Sequence, residues 1–132
     1  MSALHGLSPR LSVGVDIVDA ERLRSVVTRW GDRVLERLFT TAERERLYGA
    51  RGLRWDSLAG RFAAKEAARK AFGARGEMPR WTDLQLDVGV HGEPSLTLLG
   101  DAPGAARRCG FRQFHVSIAH ERRSAVAIVV AL

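Results

Sequence analysis

Lys65, Glu66 and Lys70 fall within one run, LAGRFAAKEAARKAFG, from Leu58 to Gly73, and the two lysines are the only ones among 21 basic residues. Every other cation is arginine. An ammonium is a compact, flexible point charge, whereas guanidinium is a planar fork, so lysine retained here suggests that compact, flexible ammonium groups are wanted where a guanidinium would fit differently. Chance in an arginine-biased chain explains it equally well. If the run is helical, Phe62, Glu66 and Lys70 share one stripe at i, i+4 and i+8, and Arg61, Lys65 and Arg69 form the neighbouring stripe. One carboxylate then stands among several cations. A solvated, salt-bridged helix face accounts for that pattern at about 0.3–0.5 kcal/mol per pair, and so does a metal and phosphate site; periodicity does not separate them.

A second carboxylate sharpens the choice. Asp16 interrupts the alternating run Val13, Val15, Ile17, which reads as a strand with the acid on the opposite face. An isolated strand carboxylate is more often a turn or cap group. Beside a helix carrying Glu66, it would complete a hard-cation site of the kind Mg²⁺ favours: one or two carboxylates, retained water and substrate phosphate oxygens. His120 closes a later strand and is followed by Glu121, Arg122 and Arg123, a position that is structural about as often as functional. There is no G-x-x-x-x-G-K-[ST] loop, G-x-G-x-x-G turn, paired-cysteine ligand set or H-E-x-x-H, which disfavours the common nucleotide-loop and zinc classes.

Several elements must position these groups. Asp19 caps a helix whose stripe Leu23, Val26, Val27, Trp30 is apolar, while Arg22 and Arg29 project together from an outer face until Gly31 ends it. Val34, Leu35 and Leu38 support a short helix. Thr40 and Glu43 form a capping box for another, running to about Gly49, and residues 50–56 read as a basic loop. The long helix is expected from Ser57 to Gly73, followed by a connection at Gly76 and Pro79. Leu84, Leu86, Val88 and Val90 alternate as a strand, His91 to Pro94 turns the chain, and Ser95 to Leu99 returns it. Pro103 opens a helix through Cys109; Phe114, Val116 and Ile118 lead to His120, and Ser124 to Ala131 makes a final, more continuously apolar strand. This is an α+β pattern: a single domain over residues 1–132, a mostly antiparallel sheet packed on a long central helix, and a flexible N-terminus over 1–11.

Composition bounds the function. At 132 residues the chain suits one core, and 45% hydrophobic with 27% charged residues is ordinary for a globular protein. A formal charge of +6 favours an acidic or polyanionic partner. Nucleic acid is the rival partner, disfavoured by the lack of a binding motif and by an acid within the segment that should be most positive. Lone Cys109 permits no internal disulfide and reads as a small buried thiol. Neither a signal-peptide stretch nor a run of about 18 apolar residues occurs, so a cytoplasmic location without membrane attachment is expected.

GVDIVDAERL (residues 14–23), LAGRFAAKEAARKAFG (58–73) and HVSIAH (115–120) together resemble the holo-[acyl-carrier-protein] synthases, small single-domain 4′-phosphopantetheinyl transferases, in order and spacing over essentially the whole chain. The resemblance implies transfer of 4′-phosphopantetheine from coenzyme A to a serine of an acyl carrier protein of fatty-acid or polyketide synthesis, with release of adenosine 3′,5′-bisphosphate. It implies Asp16 and Glu66 as ligands of Mg²⁺, with Mn²⁺ as a substitute. Glu66, directly or through a water on the metal, is the implied base, with His120 as alternative, and Lys70 holds the pyrophosphate. Coenzyme A contacts are implied at Lys70, Arg61, Lys65, Ser117, His120, Gly92 and Pro94. An acidic carrier protein is implied at Arg22, Arg29 and Phe62, and the family's homotrimer would place the sites between subunits. Ala119, Glu121 and Glu93 depart from the residues common at their positions.

Overall fold

The computed structural model describes residues 11–132, so most of the N-terminal stretch expected to be flexible lies outside the described residues. The chain opens with strand β1 (Ser12–Asp19) and three helices, α1 (Ala20–Trp30), α2 (Asp32–Leu38) and α3 (Thr41–Leu47). A two-residue hairpin, β2 (Tyr48–Gly49) and β3 (Gly52–Leu53), leads to the long helix α4 (Trp55–Gly73). A 3₁₀ turn at Trp81–Asp83 then precedes β4 (Leu84–Val88), β5 (Pro94–Leu98), α5 (Ala102–Cys109), β6 (Phe114–His120) and β7 (Ser124–Ala131). The fold is α+β, and every strand pair in it is antiparallel.

β7 is the middle strand of a three-stranded sheet ordered β1-β7-β6. Its register runs from Ser12 opposite Ala131 to Asp19 opposite Ser124, and from Phe114 opposite Ala131 to His120 opposite Ala125. β4 and β5 form a separate ribbon.

Small side chains bring α4 against this sheet. Ala59, Ala63, Ala64, Ala67, Ala68 and Ala71 are all buried and meet Ala125, Ala127 and Val129 in one core. A Cβ at Gly14 would collide with the Ala67 carbonyl oxygen, so β1 approaches the helix backbone as closely as glycine allows. The Ser12 hydroxyl also donates to Ala71 O at 2.8 Å. At the C-terminal end of α4, Phe72 packs with Phe111 and Phe114 as a triangle with centroids 5.5–5.8 Å apart.

The alternation in β1 is as expected, with Asp16 opposite the valines, but the small-residue face is the one that packs on the helix. Val13, Val15 and Ile17 are exposed, Ile17 by 73%. Paired β7 residues Ile128 and Val130 extend this outward apolar surface. On α1, Leu23 and Val27 are buried while Val26 and Trp30 are not, so half of the expected stripe faces away from the core. The Thr40–Glu43 capping box is present, but α3 stops at Leu47, and the basic loop contains the β2–β3 hairpin. α4 begins at Trp55, earlier than Ser57, and β4 ends at Val88, leaving Val90 almost wholly exposed.

Candidate active site

Asp16 reaches the site because β1 lies along α4 with its acid on the helix-facing side. Lys70, one turn beyond Glu66, donates from Nζ to Asp16 Oδ1 at 2.8 Å and to Val15 O at 3.0 Å. The Asp16 side chain is mostly covered, and Lys70 remains half open to solvent. Glu66 is half-buried beside them. Burial pushes its carboxyl above the ordinary glutamate value, and the nearby Asp16 charge pushes it the same way, against Arg69 and Lys70. The hydrogen bond to Asp16 raises the Lys70 ammonium above the usual lysine value.

Two carboxylates driven together and partly desolvated form a donor set that a small hard cation would stabilise. No group of three or more His, Cys, Asp and Glu side chains suited to a metal occurs among the described residues. The two carboxylates, Asp16 and Glu66, are the donor set a Mg²⁺ site would take from the protein if phosphate and water supplied the remaining ligands.

Next to Asp16, a groove of about 430 Å³ is lined by Ile17, Leu23, Val26, Leu38 and Phe62, with Arg22 and Asp19 at its edge. Phe62 stacks on Trp81 at 5.5 Å, which fixes its ring in the groove wall. Arg29 is placed differently. It lies over Trp30 at 5.3 Å and borders a shallow depression with Glu21, Arg24, Ser25 and Thr28, so of the two arginines only Arg22 lines the groove beside Asp16.

A second cleft, about 200 Å³, gathers Arg61, Gly92, Pro94 and His120 with Asp56, Ser57 and Leu86. Gly60 lets the end of β6 approach: a Cβ there would lie 3.2 Å from Ile118 Cγ2 and 3.5 Å from His120 Cδ2. Arg61 is mostly buried, and burial holds its guanidinium below the usual arginine value. It donates from Nε to Ser57 Oγ at 3.3 Å and from a terminal nitrogen to Leu86 O at 3.2 Å. The Glu93 carboxylate accepts from His91 N at 2.9 Å and so closes its own turn.

Two expected contacts fall elsewhere. Lys65 is completely buried, with Nζ 2.5 Å from Glu43 Oε1 and 5.1 Å from the Phe39 ring centroid, so it does not line the cleft of Arg61 and His120. Burial lowers its ammonium from the ordinary lysine value, with Glu43 opposing. Helix geometry explains the divergence: one residue is a rotation of about 100°, enough to turn Lys65 inward while Glu66 faces β1. Ser117 is one residue out of phase with Ile118 and His120 and lies, with His115, on the outward face of β6.

A model of the 4′-phosphopantetheinyl transferase superfamily matches residues 12–128, which include all of these groups. The chain belongs to that superfamily. Among the relatives of this phosphopantetheinyl transferase is a holo-[acyl-carrier-protein] synthase of Desulforudis audaxviator (strain MP104C), 41% identical over 92% of either chain. A Helicobacter pylori holo-[acyl-carrier-protein] synthase in complex with coenzyme A superposes with a TM-score of 0.77 at 26% identity, covering 91% of this chain and 99% of that one. A Chronobacterium ammoniagenes synthase–coenzyme A complex gives 0.80 at 26% identity, covering 92% and 96%. The family agrees with the α+β fold expected from the order of helices and strands. Serine 57, Leu86 and Asp56 were not singled out by sequence; Ser57 at i−4 from Arg61 was a usable signal, whereas the other two enter the cleft only through tertiary packing.

Proposed function

We propose that this transferase moves 4′-phosphopantetheine from coenzyme A to a serine of an acyl carrier protein at the Asp16–Glu66–Lys70 site, releasing adenosine 3′,5′-bisphosphate. The observation that carries this reading is the convergence of the three charged side chains from β1 and α4, together with relatives that are holo-[acyl-carrier-protein] synthases. Asp16 and Glu66 would hold Mg²⁺, or Mn²⁺ in its place. Such an ion, when bound, neutralises charge on the pyrophosphate.

Lys70 swings from Asp16 Oδ1 to a pyrophosphate oxygen and stabilises the leaving phosphate. Its exposed, flexible stem permits this. The serine oxygen attacks the β-phosphorus, the bond from that phosphorus to the bridging oxygen breaks, and the hydroxyl proton passes to a nearby base. Glu66 suits that role because it stands half-buried beside Asp16 and Lys70, where the pyrophosphate would be held. His120, in the neighbouring cleft, is the alternative acceptor. That cleft, with Arg61, Gly92 and Pro94, receives the nucleotide end of coenzyme A; the groove with Arg22 and Phe62 receives the acidic carrier protein, with Arg29 contributing charge farther along α1.

The outward apolar face formed by Val13, Val15, Ile17 and Ile128 supports association of copies as a homotrimer, with sites completed between subunits. Ser117, on that face, would then serve a neighbour's site. A monomer in sedimentation velocity at micromolar concentration would reject the assembly. The enzyme, as one cytoplasmic domain, acts on soluble partners; no described helix is long and apolar enough to cross a membrane.

Mass spectrometry of an apo carrier protein incubated with coenzyme A, Mg²⁺ and the enzyme tests the reading. The carrier should gain the phosphopantetheine mass, and EDTA should prevent it until Mg²⁺ or Mn²⁺ is restored in excess. No gain on any apo carrier would reject the transfer.

A further inference from the structure

Glu43 is a buried acid with no part in the mechanism above. It is 1% exposed and faces three donors: Thr40 N at 2.9 Å and Lys65 Nζ at 2.5 Å on Oε1, and Leu86 N at 3.0 Å on Oε2. The last bond reaches out of α3 into β4. Leu86 lines the cleft that holds Arg61 and His120, and its carbonyl accepts from the Arg61 guanidinium at 3.2 Å. The main chain of one strand residue is thus gripped through its N–H by Glu43 and through its C=O by Arg61. Flanking residues repeat the fastening: Thr40 Oγ1 donates to Gln85 Oε1 at 2.9 Å, and Arg46 lies 3.4 Å from Asp87 Oδ1.

Stability alone is a weak reason for a fully buried ion pair, because apolar residues of similar volume often serve as well or better. Position is a better reason here. Among the described residues the β4–β5 ribbon has no hydrogen-bonded strand neighbour in the main sheet, so no ladder there sets its distance from α4. Its far end carries Gly92 and Pro94, the wall of the cleft opposite His120.

We infer that Glu43, held in place by Lys65, is a positioning residue that sets the Leu86 main chain and, through it, the Arg61 guanidinium and the Gly92–Pro94 wall of the coenzyme A cleft. This rests on the transferase reading of that cleft. It gives Lys65, the lysine adjacent to Glu66, a task on the other side of α4 from the reacting centre: it orients Glu43 and never touches phosphate.

Glu43→Gln leaves one acceptor oxygen for donors that now share two, and leaves Lys65 buried without its counter-charge, so it would report folding as much as position. The combined variant Glu43→Met with Lys65→Met removes both charges and the acceptor that holds Leu86 N, with little change in volume. Coenzyme A affinity by calorimetry and steady-state kinetics are measured on it and on the unaltered enzyme, with thermal melting alongside. The expected result is a rise of about 5- to 30-fold in both the Kd and the KM for coenzyme A, the effect of roughly one misplaced charged hydrogen bond, with kcat and the KM for carrier protein within about twofold. A coenzyme A Kd within twofold of the unaltered enzyme overturns the inference, whatever the melting temperature does. Failure of the unaltered enzyme to bind coenzyme A at all would instead overturn the transferase reading, and the inference with it.

Discussion

The Lys70 ammonium stands 2.8 Å from Asp16 Oδ1, joining residues 54 apart in sequence across the β1–α4 contact. A cation this close to one of two paired carboxylates keeps them compensated until substrate arrives. Replacing it removes the donor proposed for the pyrophosphate without opening the core, since the side chain is half exposed. Lys70→Ala should lower kcat/KM for coenzyme A by about 10²-fold with little change in melting temperature. Unchanged kinetics would reduce the residue to a surface ion-pair partner.

Glu66 carries a penalty from burial and from Asp16 that a neutral amide does not. Glu66→Gln should therefore abolish transfer, by at least about 10³-fold, while the protein melts at the same or a higher temperature, the trade expected of a site strained for function. Calorimetric melting and the carrier mass assay check both halves. A marked fall in melting temperature would mean that Glu66 is structural.

Arg22 lines the groove beside Asp16 and Arg29 does not. Arg22→Ala should raise the KM for carrier protein roughly 10-fold and flatten its dependence on salt, leaving the KM for coenzyme A unaltered; Arg29→Ala should show a smaller effect of the same kind. Equal effects of the two on carrier KM would point to diffuse charge attraction rather than a contact at the groove.

Gly14 lies under the Ala67 carbonyl, with no room for a methyl group. Gly14→Ala must separate β1 from α4 and should cost about 1–3 kcal/mol or more by chemical denaturation. Because the same contact brings Asp16 to Glu66, the folded fraction should also lose activity. A variant with native stability would show that the strand can shift freely.

Much of this was legible beforehand because local chemistry determined it. The Asp19 and Thr40 caps form as their side chains dictate, and the alternation of Phe114, Val116 and Ile118 in β6 matches the half-buried face that bears it, whereas β7, expected to be more continuously apolar, alternates between buried and more open residues. The common stripe of Glu66 and Lys70 follows from helical repeat alone. Less legible was the direction in which an alternating element faces. In β1 the valines look like the core side, yet glycine and serine pack on α4, because an alanine-rich helix that lies close to a sheet accepts small residues and leaves branched ones outside. Val26 differs for a similar reason, since an apolar stripe cannot distinguish a core from a groove that is lined but unfilled, and Trp30, at the last turn of α1, lies outside both with Arg29 over its ring.

By itself, then, the sequence determined which residue types this protein brings to chemistry, two carboxylates and an ammonium on neighbouring elements, and the order of helices and strands that carries them, since caps, periodicity and spacing act between residues close in the chain. Helical repeat already placed Lys70 on the Glu66 stripe and Lys65 on the next one. Only the tertiary structure decided what each lysine meets: the packing of α3 and β4 on one side of α4 buries Lys65 against Glu43, while β1 on another side offers Lys70 the carboxylate of Asp16. Desolvation and long-range contact separate their fates, and neither is written in local pattern.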